Sequence, residues 1–363
     1  LTLVTGLLCG LVALAVAFCT KILSSYKFHT FNELLEKEKL NELPFGSAYL
    51  FLFGLNLVFG VAAWATVYFE PLAAGSGIPE VKCFLNGLNI PRLVRFKTLV
   101  CKATGIVFAV CAGLPLGKEG PMVHAGAIVA AGVSQGQTFL CGIDTTFSKF
   151  QEFRNDAEKR DFVACGAAAG VAAAFGAPIG GVLFALEEGS SFWSTKLTWR
   201  AFFCAMVTVF TLYVANTAHS MFGHSANRAM FSFGEFYSLQ GEQSNFSVWE
   251  LSLFMVVGGA GGLIGAYFNF CVMQIFKWRS ENIDSKLVKL LEVLAVVSLM
   301  SAIALFSPLL WHKCTPLPVV TDAWSDQERR LVAELVPLYC NAETEYNELA
   351  SLYLADSDVV IRQ

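Results

Sequence analysis

Charge is what this sequence has least of: 15% of its 363 residues are Asp, Glu, Lys or Arg, against 55% hydrophobic ones. Soluble domains carry about 25% charged residues. Long uncharged stretches run over 1–20, 45–69, 120–143, 162–186, 201–227, 251–276 and 293–312. A helix needs ~20 apolar residues to cross the hydrocarbon core, and several of these stretches reach that length. The chain therefore reads as an integral membrane protein. Enzyme signatures are lacking as well. The five histidines (His29, His124, His219, His224 and His312) form no His-Glu-x-x-His pair, and there is no Gly-x-Ser-x-Gly elbow. The run 113–118 is one residue short of a phosphate loop and is followed by Glu119. No catalysis, metal, cofactor or nucleic-acid partner is expected. Eleven cysteines lie mostly in apolar runs, as small buried hydrophobes do. The first run opens at Leu1 without a charged leader region and reads as a span.

The charges that are present orient the chain. Between Glu80 and Glu119 every charge is positive (Lys82, Arg92, Arg95, Lys97, Lys102 and Lys118), which places 82–97 in the cytoplasm. The connection 277–289, with Lys277, Arg279, Lys286 and Lys289 against two acids, belongs on the same side. The segment 216–250 holds Arg228 against Glu235, Glu242 and Glu250. It also contains the sequon Asn245-Phe246-Ser247, a glycosylation acceptor only on the luminal or outer side. Counted from a cytoplasmic start, the mixed-charge stretch 21–42 becomes an outer loop. The segments at about 98–135 and 162–188 must then begin and end in the cytoplasm. Each contains a suitable break, Gly113-Leu114-Pro115-Leu116-Gly117 and Gly176-Ala177-Pro178, so each is expected to be a pair of shorter, re-entrant helices. Residues 313–363 form an acidic luminal loop in which 315–363 holds nine acids and three arginines. Cys314 and Cys340 sit together in it and are expected to pair if the lumen is oxidising.

Three glycine-proline signatures join an irregular turn to a helix start. They are Gly75-Ser76-Gly77-Ile78-Pro79-Glu80, Gly117-Lys118-Glu119-Gly120-Pro121, and Gly176-Ala177-Pro178 leading to Glu187-Glu188. Glycine lets backbone approach a ligand, and proline suits a first helical turn. The free N–H groups of such a helix start hold an anion without a full positive charge, and Ser76 adds a hydroxyl. One such motif alone reads equally as a turn; three in one membrane chain point to an ion site. Glu119 opens an apolar helix, where a carboxylate is expensive without a task. It is either a dipole-stabilising acid or a tethered competitor for the anion that leaves when protonated. Lys118 reads as a structural or field-setting cation. Glu187 and Glu188, taken alone, read as an interfacial acidic pair.

In order and spacing these signatures resemble the CLC family of chloride channels and chloride/proton exchangers. The stretch from Phe153-Arg154-Asn155-Asp156 through Glu158-Lys159-Arg160-Asp161-Phe162 to Gly189-Ser190-Ser191-Phe192-Trp193 resembles its endosomal and lysosomal branch. The resemblance implies an all-α membrane fold of tilted, broken helices in two inverted halves, largely the first half here, with residues 1–312 as the transmembrane region. It implies a homodimer in a late endosomal or lysosomal membrane, transported chloride and protons, and an accessory membrane subunit as a further partner. It makes Ser76 a chloride ligand within a selectivity filter built from Gly75, Ser76, Gly77, Ile78 and Pro79 with Gly117, Lys118, Gly120 and Pro121. Glu119 becomes the gating glutamate and Glu188 the internal proton-relay glutamate. The family's second half adds a Gly-x-Phe-x-Pro segment and a ligating tyrosine, which do not appear before Gln363, so truncation before that half is expected. Two alternatives stay open: a channel without proton coupling, and a non-transporting half-subunit.

Overall fold

The computed structural model describes residues 1–44, 46–88, 90–136, 139–140, 143–144, 153–221, 249–311, 313–317, 332, 335–338, 340 and 344–354. Its helices are α1 (Thr2–Lys39), α2 (Ser47–Phe69), α3 (Ile78–Leu85), α4 (Phe96–Cys111), α5 (Glu119–Gln135), α6 (Asp156–Phe175), α7 (Pro178–Phe184), α8 (Thr195–Met221), α9 (Glu250–Asn282), α10 (Lys286–Leu310) and α11 (Glu348–Leu354). Short strands β1 (Phe139–Leu140) and β2 (Ile143–Asp144) pair antiparallel, as do β3 (Cys314–Pro316) and β4 (Glu345–Asn347). Among the described residues, α1, α2, α9, α10 and the Thr195–Ala215 part of α8 are long and apolar enough to cross a membrane. The chain forms two units, residues 1–226 with 293–363, and residues 227–292. In the second unit α9 buries none of its residues, and Arg279 pairs with Glu292 at 2.8 Å.

The stretch 98–135 lies almost wholly within two helices, α4 and α5, because Gly113 (φ +75°) and Pro115 cannot continue α4. The second break separates α6 from α7 at Gly176 (φ +66°), and Pro178 takes the first position of α7. Asn155 caps α6 by accepting from Glu158 N–H at 2.7 Å, a contact whose loss typically costs about 1 kcal/mol. After α7 the helix widens into a π turn over Ala185–Gly189.

Small residues set the core. α5 and α6 meet at Gly126 and Gly166, where a β-carbon on either glycine would strike the carbonyl oxygen of the other. Without a hydrophobic drive between helices in lipid, this kind of close backbone approach supplies the packing. Cys9, Ala127, Ala131, Val163, Ala168 and Cys204 are among the side chains buried around that seam. Thr208 ties α8 to α1 by donating to Gly6 O at 2.8 Å.

The sequence reading of 21–42 as an outer loop is corrected. α1 runs unbroken to Lys39, since no glycine or proline interrupts 11–39, and one face of its second half is buried at Ser24, Lys27, Phe31, Leu35 and Glu38. Lys27, 4% exposed, donates to Cys111 O at 2.9 Å and to Asn56 Oδ1 at 3.3 Å. Glu38 accepts from the N–H of Gly46 at 2.8 Å and so sits at the positive end of α2. The segment after α10 is also more than a loop. Val336, Leu338, Ala350 and Leu354 pack on Phe31, Leu35, Tyr49 and Leu52, and Cys314 is joined to Cys340 by a disulfide.

Candidate functional site

Two broken-helix starts converge. Gly75 (φ +65°) and Gly77 (φ +80°) turn the chain into α3, with Gly77 as N-cap and Pro79 in the first turn. Ser76 is exposed, and its hydroxyl oxygen accepts from Ile78 N–H at 3.3 Å. Because that bond uses a lone pair, the hydroxyl proton stays available for an anion. On the other side, Glu119 and Gly120 open α5, and the first helical bond made there runs from Met122 N to Lys118 O at 3.1 Å. The N–H groups of Glu119 and Gly120 precede any intrahelical acceptor, and Pro121 has none to offer.

Glycine is required at this junction for space. A β-carbon on Gly120 would lie 2.6 Å from Ser76 Cβ and 3.2 Å from its Cα, so the first turn of α5 abuts the Ser76 turn. A β-carbon on Gly117 would overlap the Glu119 carboxylate, which folds back over the turn that precedes its own helix. Glu119 is half-buried there. Ser76, Gly77, Gly117, Glu119 and Gly120 thus form one cluster. Gly75, Ile78 and Pro79 shape its α3 side, and Lys118 and Pro121 its α5 side.

Behind Gly77 lies a buried cation that sequence reasoning missed. Lys102 on α4 is 2% exposed, and its ammonium would stand 2.6 Å from a β-carbon on Gly77. It bonds His124 Nδ1 at 2.8 Å, and His124 Nε2 reaches Leu93 O at 3.1 Å. A carbonyl only accepts, so Nε2 carries the proton and Nδ1 takes the lysine's. The sequence signal was Lys102 itself, a single charge inside the helical run 98–111.

Glu188 stands apart from this cluster, at the other end of α3. Its carboxylate pairs with Lys82 at 2.7 Å. Since α3 has eight residues, the two ends are separated by about 12 Å of helix. Glu187 lies beside it on the same π turn. Asn245 lies outside the described residues.

Backbone donors at two helix starts, a serine hydroxyl, a carboxylate folded over its preceding turn and a cation held behind the turn gather in one cluster of a multi-pass membrane protein. The chain belongs to the voltage gated chloride channel family, whose profile matches residues 57–332. It is 39% identical over 351 residues to the H(+)/Cl(-) exchange transporter 7 of Mus musculus, covering 96% of this chain and 42% of that protein. It is 42% identical over 321 residues to Chloride channel protein D of Dictyostelium discoideum, covering 88% and 30%. The chain thus spans about two fifths of the length of the exchange transporter. Among solved structures, a eukaryotic CLC transporter superimposes with a TM-score of 0.63 at 21% identity, over 84% of this chain and 49% of that one. A slow cyanobacterial Cl-/H+ antiporter gives 0.63 at 19% identity, over 99% and 73%. The fold is the CLC transporter fold, all-α with broken helices.

Proposed function

We propose that the full-length protein exchanges chloride for protons across a late endosomal or lysosomal membrane, under the influence of voltage, as a homodimer with one pathway in each subunit. The observation that carries this reading is the contact of Gly120 with Ser76 beside the Glu119 carboxylate. Chloride bound there meets the Ser76 hydroxyl and the opening N–H groups of α3 and α5, dipoles strong enough to bind and weak enough to release. The filter comprises Gly75, Ser76, Gly77, Ile78 and Pro79 with Gly117, Lys118, Gly120 and Pro121. Ionised, Glu119 competes for the anion's place at the positive end of α5; protonated, it loses that attraction and swings away. One carboxyl group thereby exchanges a proton for an anion.

Glu188 supplies the proton from the cytoplasmic side, where the basic linker 82–97 also lies. The segment that holds Asn245 and the disulfide-bearing segment 313–363 face the lumen. An accessory membrane subunit is a further partner in this reading. A channel without proton coupling is the competing reading, and the carboxylate at position 188 favours exchange because an apolar residue there could not titrate.

The test is uphill proton movement driven by a chloride gradient in liposomes holding the full-length protein. Glu188→Val is expected to abolish proton movement and leave chloride flux. Wild-type protein that moves chloride with no proton movement is a channel, and the exchanger reading falls.

A further inference from the structure

The last turn of α3 and its C-cap Asn86 are fastened at three points to the π turn that carries Glu188 and to the residues that follow it. Lys82 donates to Glu188 Oε2 at 2.7 Å. Asn86 Oδ1 accepts from the Ser191 hydroxyl. Leu85, fully buried, lies 3.5 Å from where a β-carbon on Gly189 would stand. The π turn, closed by Ser190 N–H to Ala185 O at 3.0 Å, is one residue wider than an α turn. Such turns tend to mark functional positions.

The α6 cations nearby and Glu158 are committed elsewhere. On α6, Lys159 lies over the Phe84 ring at 5.7 Å, Arg160 over the Phe192 ring at 5.3 Å, and Glu158 pairs with Arg200 at 2.7 Å. Asp161 lies within the charge field of Arg200, Arg160 and Lys196. On α3 the other charge is Glu80, in the first turn, and beside Glu188 in sequence is the exposed Glu187. Lys82 is the cation that faces the Glu188 carboxylate.

We propose that Lys82 is a positioning residue for proton transport: it holds Glu188 as an anion against the end of the helix whose other end, at Gly77 and Ser76, forms the filter. This rests on the reading of Glu188 as the proton carrier. An ammonium hydrogen-bonded to a carboxylate favours the charged form, so proton capture must displace Lys82. An exposed pair of this kind adds little to stability. Its consequence is control. Lys82 sets the pH at which Glu188 accepts a proton, and each protonation unfastens one of the ties between the π turn and α3.

The experiment follows proton transport against cytoplasmic-side pH in liposomes holding the full-length protein, with chloride flux recorded in parallel. Lys82→Gln is expected to shift the midpoint upward, with maximal chloride flux kept. Lys82→Arg should restore the wild-type midpoint, which a merely structural role for a lysine-sized side chain would not require. In a Glu188→Gln background, where proton movement is lost, Lys82→Gln should leave the remaining chloride flux unchanged. Should Lys82→Gln not assemble, Lys82→Met removes the same ammonium from a side chain of similar length, and the same upward shift is expected. A midpoint unchanged in Lys82→Gln, or in Lys82→Met, while exchange persists overturns the proposal and leaves Glu188 in its role. Wild-type protein that moves no protons overturns both.

Discussion

Gly120 stands so close to Ser76 that a β-carbon on it would lie 2.6 Å from the serine's own Cβ, with backbone next in line at 3.2 Å. Neither atom belongs to a flexible side-chain end, so Gly120→Ala must push the Ser76 turn away from α5. The anion would then lose either the hydroxyl or the helix-start N–H groups. We expect chloride turnover to fall by tenfold or more, the equivalent of about 1.4 kcal/mol, while the protein still assembles. Gly176→Ala serves as the control: Gly176 has positive φ (+66°), but a β-carbon there meets open space, so the substitution should strain the chain and spare the anion. Equal turnover in wild type and Gly120→Ala would remove the junction from the pathway.

Glu119 gives the second prediction. Its carboxylate occupies the space over Gly117 that any side chain there would fill. Glu119→Gln keeps the shape and removes the charge, so anion flux should persist and its dependence on proton concentration should flatten. Gly117→Ala evicts the carboxylate while leaving it titratable; flux should remain proton-dependent but slower. A Glu119→Gln protein that retained coupled proton movement would exclude this carboxyl as the gate.

The Lys102–His124 pair behind Gly77 gives the third. In the proposed reading, a buried ammonium there raises the potential at the anion site, since a low-dielectric setting screens it weakly. Lys102→Met should raise the chloride concentration for half-maximal flux by about tenfold. His124→Gln offers an acceptor to Lys102 and a donor to Leu93 O, so it should stay near wild type. His124→Leu strands the lysine and the carbonyl and should cost about 1–3 kcal/mol of stability, read as lowered thermal resistance in detergent. Unchanged chloride dependence in Lys102→Met would reduce the lysine to a packing role.

Much of this architecture was legible because it depends on backbone chemistry. Pro178 and Pro115 lack donors wherever they fall, and Gly176 and Gly113 adopt left-handed φ beside them, so the helix breaks could be placed from residue type alone. The membrane class followed from the uncharged runs, five of which became long apolar helices among the described residues. What stayed hidden depends on distant partners. The stretch 21–39 looks like a polar loop until Lys27 finds the Cys111 carbonyl 84 positions away and Glu38 finds the start of α2. Lys82 and Glu188 are 106 positions apart, and nothing local in either motif foretells the contact. His124 was counted only as a histidine outside any enzyme signature, since its role comes from Lys102 and Leu93 on other elements.

The segment after α10 yields the last prediction, and its sign can be worked out. Glu348 opens α11 and accepts from the Thr315 hydroxyl at 2.6 Å and from Lys313 at 3.0 Å, both flanking Cys314. The Thr315 hydrogen bond first, then that of Lys313, holds its carboxyl below the ordinary value of 4.5. A group whose pKa is depressed by folding contributes stability above its unfolded pKa and loses it as pH falls through the folded one. Protection of amides in 345–354, measured by hydrogen exchange corrected for the intrinsic rate, should therefore be flat from pH 7 to about 5 and fall only below about 4.5. In Glu348→Gln that acid limb should disappear. The Cys314–Cys340 disulfide closes a separation of 26 residues; in the chain-entropy model it contributes about 3–4 kcal/mol, independent of pH in this range. Cys314→Ser should thus lower protection at every pH, whereas Glu348→Gln lowers it only above the acid limb. Protection that declined steadily between pH 7 and 5 would assign the control of this segment to some group other than Glu348.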